Sequence, residues 1–277
     1  MTARARPSRR LLRIRAGQTL APPARVRSCA ECERLDEVAS AVAAPGACSA
    51  ASGSPPLAAV DRRLGAKTVV VVRRARSPSY DGTVMNLVVA NVKGGVGKTT
   101  TAVYLAAVAV GRGYDPVVLV DADRQASAAE WLEERPIEEL TVVEAPSERT
   151  LARALRRRGG LTVVDTPPGD QRLQQAAVGS ADAVVIPTRA GGVELSSVLL
   201  TLELIPARRR RGIVVCSARL GTNDLEATIA WWEGQGVPVW GVIPERVGIA
   251  AGPEARLYRE GLERYAGVLR RALRRRR

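Results

Sequence analysis

The chain has 277 residues, enough for one sizeable α/β core with an extension or for two small domains. It is 46% hydrophobic yet has no Phe and only 3% aromatics, so the core must be built mostly from Val, Leu, Ile and Ala. His is absent, which excludes His ligands, His bases and every Ser/His or Cys/His nucleophile.

Acid–base chemistry therefore falls to carboxylates and lysines. The net charge of +14 favours a polyanionic partner, either nucleic acid or an anionic membrane surface. Four cysteines make no disulfide framework: Cys29 and Cys32 form one C-x-x-C, Cys48 lies nearby and Cys216 stands far away. One such pair without His is a poor zinc site, and unpaired thiols suit a reducing cytoplasm. No run of 18 apolar residues occurs, and Leu11 and Leu12 are followed at once by Arg13 and Arg15, which is no signal-peptide core.

Met1 to Gly82 differ in kind from the rest of the chain. They are rich in Arg, Ala, Pro and Ser, and only Thr68 to Val72 resembles a strand. The 15 basic and 6 acidic residues before Val84 supply +9 of the net charge. This pattern predicts a disordered extension over residues 1–84. Met85 stands just before the first regular strand, so the expectation is either an over-extended reading frame with a native start near Met85, or a basic tail that binds nucleic acid. Intact-mass measurement on protein from the native host separates the two.

From Met85 the pattern is regular, and residues 85–277 read as one domain. Strand-like runs recur at Leu87–Val92, Val117–Val120, Leu140–Val143, Leu161–Val164, Ala183–Ile186, Ile213–Cys216 and Val237–Val242. Helical stretches lie between most of them, at Thr101–Val110, Ser147–Arg158, Glu194–Leu204 and Asp224–Glu233. Runs apolar almost throughout are those of strands buried on both faces. The alternation predicts an α/β fold with a doubly wound, mostly parallel sheet whose ligands bind at the carboxyl ends of the strands.

The stretch Lys93-Gly94-Gly95-Val96-Gly97-Lys98-Thr99-Thr100 links the first strand to the first helix. A strand, a glycine-rich turn and a helix form a phosphate-binding loop. In it Lys98 reaches β/γ-phosphates and the Thr99 hydroxyl sits on Mg²⁺. The strict pattern wants Gly where Val92 stands, and an extra lysine, Lys93, opens the loop instead. The second strand ends in Asp121-Ala122-Asp123-Arg124-Gln125. One carboxylate could organise Mg²⁺ through water and the other position the attacking water, or the pair could simply cap a strand-to-helix turn. The fourth strand ends in Asp165-Thr166-Pro167-Pro168-Gly169, where an Asp beside a phosphate loop serves Mg²⁺.

The loop KGGVGKTT, the run DADRQASAAEW from Asp121 to Trp131 and the DTPPG from Asp165 resemble the deviant Walker A, switch I and Walker B segments of ParA/MinD-type ATPases. ADAVVIPTRAGGVEL, from Ala181, and VPVWGVIPERVGIA, from Val237, resemble the partition members. The resemblance implies the fold of a P-loop NTPase and an ATP-hydrolysing, Mg²⁺-dependent enzyme. Lys93 would reach across an ATP-sandwiched homodimer, Lys98 and Thr99 would keep the ordinary loop roles, and Asp123 would position the hydrolytic water. Asp121 and Asp165 would support Mg²⁺ through its water shell, and Pro244 to Arg246 would lie near adenine. Two departures stand out. Arg124 replaces a usual proline, and the Asn often found after the sixth strand is missing from Val215 to Arg219, where Ser217 or Arg219 could substitute.

The tail separates the cousins. Leu262, Tyr265, Leu269 and Leu273 fall at helical spacing, as either core packing or the apolar side of a membrane-binding helix. A stripe followed by Arg274 to Arg277 favours core packing. Basic runs at Arg156–Arg158 and Arg208–Arg211 could meet DNA phosphates without reading sequence, or could be solvated helix ends. The expectation is a cytoplasmic ATPase of the small ParA type acting in plasmid or chromosome partitioning, with ATP-switched non-specific DNA binding, nucleoid association if that binding holds, and a ParB-like partner. The alternative is a MinD-like membrane-associated positioning ATPase. An iron–sulfur relative would need paired core cysteines, and this core has only Cys216.

Overall fold

The computed structural model describes residues 68–69, 85–156, 160–250, 252 and 256–274. The expectations for Met1 to Gly82, including Cys29, Cys32 and Cys48, lie outside these residues except at Thr68 and Val69.

Among the described residues eight strands form one sheet: β1 Thr68–Val69, β2 Met85–Val89, β3 Val117–Asp121, β4 Leu140–Glu144, β5 Leu161–Asp165, β6 Ala183–Arg189, β7 Arg210–Ala218 and β8 Val239–Pro244. Their spatial order is β1-β4-β3-β5-β2-β6-β7-β8. Seven run parallel, and the two-residue β1 pairs antiparallel with Val142 and Val143 at the edge. The strand expected at Thr68–Val72 is thus present in its first two residues. After β2 the chain winds outward on one side through β3 and β4, returns to β5, and crosses to build β6, β7 and β8 on the other. Winding reverses around β2, and ligands settle at such a crevice.

The helices are α1 Lys98–Gly111, α2 Ser127–Glu134, α3 Glu148–Leu155, α4 Gln171–Gly179, α5 Leu195–Leu204, α6 Asn223–Gly234, α7 Val247–Ala250 and α8 Arg259–Leu273. One sheet face buries α1, α2 and α8, and the other buries the apolar sides of α3 to α6. Residues 101–110 of α1 are all buried, which explains why its sequence is apolar all round. Helix α8 covers α1 through the stripe read from the sequence: Leu262, Tyr265 and Leu269 are buried. Gly261 permits the approach, because a Cβ there would stand 2.5 Å from the Tyr104 ring. Without Phe, aromatic packing on this face rests on Tyr104, stacked on Tyr265 at 5.1 Å and edge-on to Trp131 at 6.5 Å.

Three expected boundaries move, each for a local reason. The first strand stops at Val89 rather than Val92: Asn91 anchors the chain through its side chain on the Pro187 carbonyl of β6, and the Val92 N–H leaves the ladder for Thr201 of α5. Helix α1 begins at Lys98, so the lysine and threonines of the loop are its first turn. Arg210 and Arg211, read as part of a basic helix end, instead open β7.

Parallel register lines up the chemistry. Asp165 is level with Val89 on one side and Asp121 on the other. The carboxylates at the ends of β3 and β5 therefore flank the start of the phosphate loop.

Candidate functional site

The loop is fastened before it bends. Buried Asn91 donates from Nδ2 to the Pro187 carbonyl of β6 at 2.8 Å, and its Oδ1 accepts the Lys93 N–H at 2.9 Å. The Val92 N–H donates to Thr201 Oγ1 of α5 at 3.1 Å, a contact that needs a residue with a backbone donor rather than a glycine in particular. Gly95 and Gly97 then take φ of +71° and +92°, the left-handed region that a side chain adopts only with strain. Gly97 caps α1, leaving the first-turn N–H groups of that helix for an anion.

The two loop lysines part company. Lys98 is buried, and its Nζ donates to the Lys93 carbonyl at 2.8 Å. Burial pulls its pKa below the ordinary lysine value, against the nearby charges of Asp165 and Asp123. Lys93 turns outward with its side chain 39% exposed and pairs with Glu194 Oε1 at 2.8 Å.

Thr99 Oγ1 donates to Asp165 Oδ2 at 2.7 Å, while Asp165 Oδ1 is buried without a hydrogen-bond partner among the described residues. Burial pushes the Asp165 carboxyl up to about 7; the Thr99 hydrogen bond and Lys98 oppose this, and the Asp121 and Asp123 charges add to it. An orphaned carboxylate oxygen beside a hydroxyl and a phosphate loop is a donor set that fits a hard divalent cation such as Mg²⁺. Among the described residues no three His, Cys, Asp or Glu side chains stand together as a metal cluster. Thr99 and Asp165 would hold such an ion jointly with phosphate and water.

Asp121 turns its carboxylate to the backbone of the strand-to-helix turn. Its Oδ1 accepts the Asp123 N–H at 3.0 Å, and its Oδ2 accepts those of Ala128 and Ala129 at 2.9 and 3.0 Å. Burial raises its pKa and these three backbone donors oppose the rise. These three bonds fold the segment 121–129 onto the start of α2. Asp123, half-buried, is the carboxylate of the pair that lines the cleft, with Oδ1 accepting the Gln125 N–H at 3.0 Å.

A cleft of about 600 Å³ opens above the loop, a volume within the range of ligand sites. It is walled by Gly94 to Thr100 and Asp123 at one end, and by Ser217, Pro244, Glu245, Arg246 and Val247 at the other. Pro244 and Arg246 thus line the same cleft as the loop. Arg246 is steadied by Glu260 at 3.1 Å. Ser217 lines the wall at φ +48°, whereas Arg219 turns away to pair with Glu245 at 3.0 Å.

Sequence reasoning missed Arg189, Cys216 and Tyr265 as cleft residues. Tyr265 OH lies 3.0 Å from Thr101 Oγ1, and Cys216 Sγ lies 3.8 Å and 3.9 Å from the two hydroxyls. Burial raises the Cys216 thiol to about 11, so it stays protonated and serves as floor under Gly97. The helical stripe marked Tyr265 as buried; nothing in the sequence said that its hydroxyl would reach below the loop.

A parallel α/β sheet with a glycine-rich loop and a charged helix start at its switch point defines a nucleotide-binding protein of the P-loop kind. More narrowly, residues 87–257 match the family described as the CobQ/CobB/MinD/ParA nucleotide binding domain, and the chain belongs to that family. It is 34% identical over 213 residues to the chromosome-partitioning ATPase Soj of Thermus thermophilus, covering 61% of this chain and 85% of that protein. It is 42% identical over 118 residues to the maintenance of carboxysome distribution protein A (McdA) of Gloeobacter kilaueensis, a match spanning 42% of this chain and only 54% of that relative. Among solved structures, an ATP complex of a Cyanothece McdA variant superposes with a TM-score of 0.57 at 18% identity, covering 69% of this chain and 97% of that one. The septum site-determining protein MinD of Pyrococcus horikoshii, complexed with Mg-ADP, superposes with a TM-score of 0.51 at 18% identity, covering 68% and 96%. These structural likenesses concern the fold.

Proposed function

We propose that the protein is a Mg²⁺-dependent ATPase of the ParA type that dimerises on ATP, binds DNA non-specifically in that state, and lets go after hydrolysis. The observation that carries this reading is the division of labour between the two lysines. Lys98 points into its own loop, so a second, outward lysine at the loop's rim has no use on the same phosphates and suits those of a second copy. Lys98 and the first-turn N–H groups would hold the β/γ-phosphates, and Thr99 with Asp165 the metal. Bound there, Mg²⁺ would neutralise charge that develops on the phosphates. Asp123 would orient the attacking water, and Asp121 would hold Asp123 in place through its N–H.

The DNA part rests on arginines that the fold gathers. Arg210 Nη2 donates to the Arg271 carbonyl at 2.6 Å, and this joins the run at the start of β7 to the last turn of α8. Arg208, Arg270 and Arg274 are exposed around that junction, at the amino edge of the sheet and away from the cleft. Such a patch would contact phosphates and give salt-dependent binding. The apolar stripe of α8 is buried, which leaves this helix no apolar side for a membrane and argues against the MinD-like reading. A ParB-like partner remains the expected stimulator of hydrolysis. The match to a carboxysome distribution protein favours a second reading of the cargo, a protein assembly in place of a plasmid or chromosome.

The test is light scattering with ATP, with ADP and without nucleotide, followed by DNA binding at rising salt. Dimers only with ATP, and DNA affinity that falls steeply with salt only in that state, are expected. A Lys93→Ala chain that dimerises like the unaltered protein would sink the reading.

A further inference from the structure

Lys93 is held by a group of its own chain. Its Nζ stands 2.8 Å from Glu194 Oε1, and the Glu194 side chain is only 14% exposed. The other oxygen, Glu194 Oε2, is buried and has no hydrogen-bond partner among the described residues. A carboxylate in that position gains all its side-chain pairing from Lys93, and losing the lysine leaves a poorly solvated charge. The chain has only three lysines, at 67, 93 and 98, among 42 basic residues, so a lysine at the rim of the loop is set apart from the general arginine excess.

Glu194 is also placed to act. It ends the short 3₁₀ turn Gly192–Glu194 and stands directly before α5, where a carboxylate is favoured by the free N–H groups of the helix start. The Ser197 hydroxyl donates to the Glu194 carbonyl at 2.8 Å and Thr201 to the Ser197 carbonyl at 2.7 Å. Thr201 in turn receives the Val92 N–H, one residue before Lys93. Helix α5 thus grips the loop stem twice, at Val92 by a neutral bond and at Lys93 by a charged one.

We infer that Glu194 is a positioning residue that holds Lys93 on its own subunit until ATP and a second copy compete for the lysine. The inference rests on the reading of Lys93 as a residue that acts across the dimer. Breaking this partly buried pair carries a cost that ATP and the second copy must meet, and that cost reduces the fraction of subunits ready to associate. Glu194→Gln keeps the size and removes the charge, so the ATP concentration for half-maximal dimerisation should fall about five-fold. Glu194→Asp should stay near the unaltered value, and thermal midpoints should differ little among the three.

Size-exclusion light scattering across an ATP titration reads this directly. An unchanged or raised ATP requirement in Glu194→Gln overturns the inference. Should that variant fold poorly, acylation of Lys93 in the unaltered, nucleotide-free protein, followed by peptide mass spectrometry, gives a second reading. The rate should rise several-fold between low and high salt as the pair is screened, and a salt-independent rate overturns the inference. Lys93→Ala separates the two levels. If it still dimerises on ATP, the underlying reading fails. If it does not and Glu194→Gln behaves as the unaltered chain, only the latch fails.

Discussion

The two ends of the cleft are built by different rules. At the phosphate end nearly every side chain has a named partner: Lys98 on the Lys93 carbonyl, Thr99 on Asp165, Asp121 on three backbone donors. At the far end the wall is Ser217 beside Pro244 to Val247, with Arg246 and Glu245 paired outward to Glu260 and Arg219. Phosphates and a divalent cation demand particular charges at particular points, whereas a flat heterocycle asks mainly for shape, apolar surface and main-chain groups. Substitutions should therefore cost far more at one end than at the other.

The largest effect is expected at Lys98. Lys98→Ala should weaken ATP binding by about 100-fold or more, since a desolvated ammonium facing phosphate cannot be replaced by water. Fluorescent-nucleotide titration checks it, and a loss under ten-fold would break the contrast. Asp123→Ala comes next. Hydrolysis should slow by about 100-fold while ATP affinity changes less than about three-fold, measured by phosphate release beside equilibrium binding. Equal loss of both would move Asp123 from water positioning to support of the segment 121–129.

Asp165 offers a pH signature. Its carboxyl sits near 7 in the fold against an ordinary 3.8, so the native state binds the proton more tightly than the unfolded chain. Stability without nucleotide or metal is then greatest below pH 4 on account of this group and declines as pH rises from about 4 to 7, where the buried charge forms. Asp165→Asn removes that charge. Its thermal midpoint should exceed that of the unaltered protein by several degrees, roughly 5 °C, at pH 8, and the gap should shrink toward pH 5. The same substitution should abolish stabilisation by Mg²⁺ with ATP. The smallest effect belongs to the far end: Arg246→Ala should lower ATP affinity only about two- to three-fold, because its charge is already paired with Glu260 at a partly exposed position. A loss near that of Lys98→Ala would erase the difference between the ends.

The same contrast governs what could be read from the residues. The glycines, Lys98, Thr99 and Asp165 follow from spacing alone, since each is tied to the end of an apolar strand. Asp121 and Asp123 were legible as a pair but not as individuals. A strand terminus offers two adjacent directions, and only the fold of 121–129 turns one carboxylate onto α2 and leaves the other in the cleft. Arg189, Cys216 and Tyr265 come from three separate elements and meet only because β6, β7 and α8 converge beside the loop.

The sequence alone determined the alternation of strands and helices, the parallel sheet, the loop and the family resemblance, because these rest on local period and on motifs a few residues long. Only the tertiary structure decided that Asp121 is turned to backbone donors, that the arginine run at β7 joins the end of α8, and that Lys93 rests on Glu194, 101 residues away. Local patterns record what each segment must bury. They do not record which charged groups meet across the sheet, and that meeting depends on strand order and register.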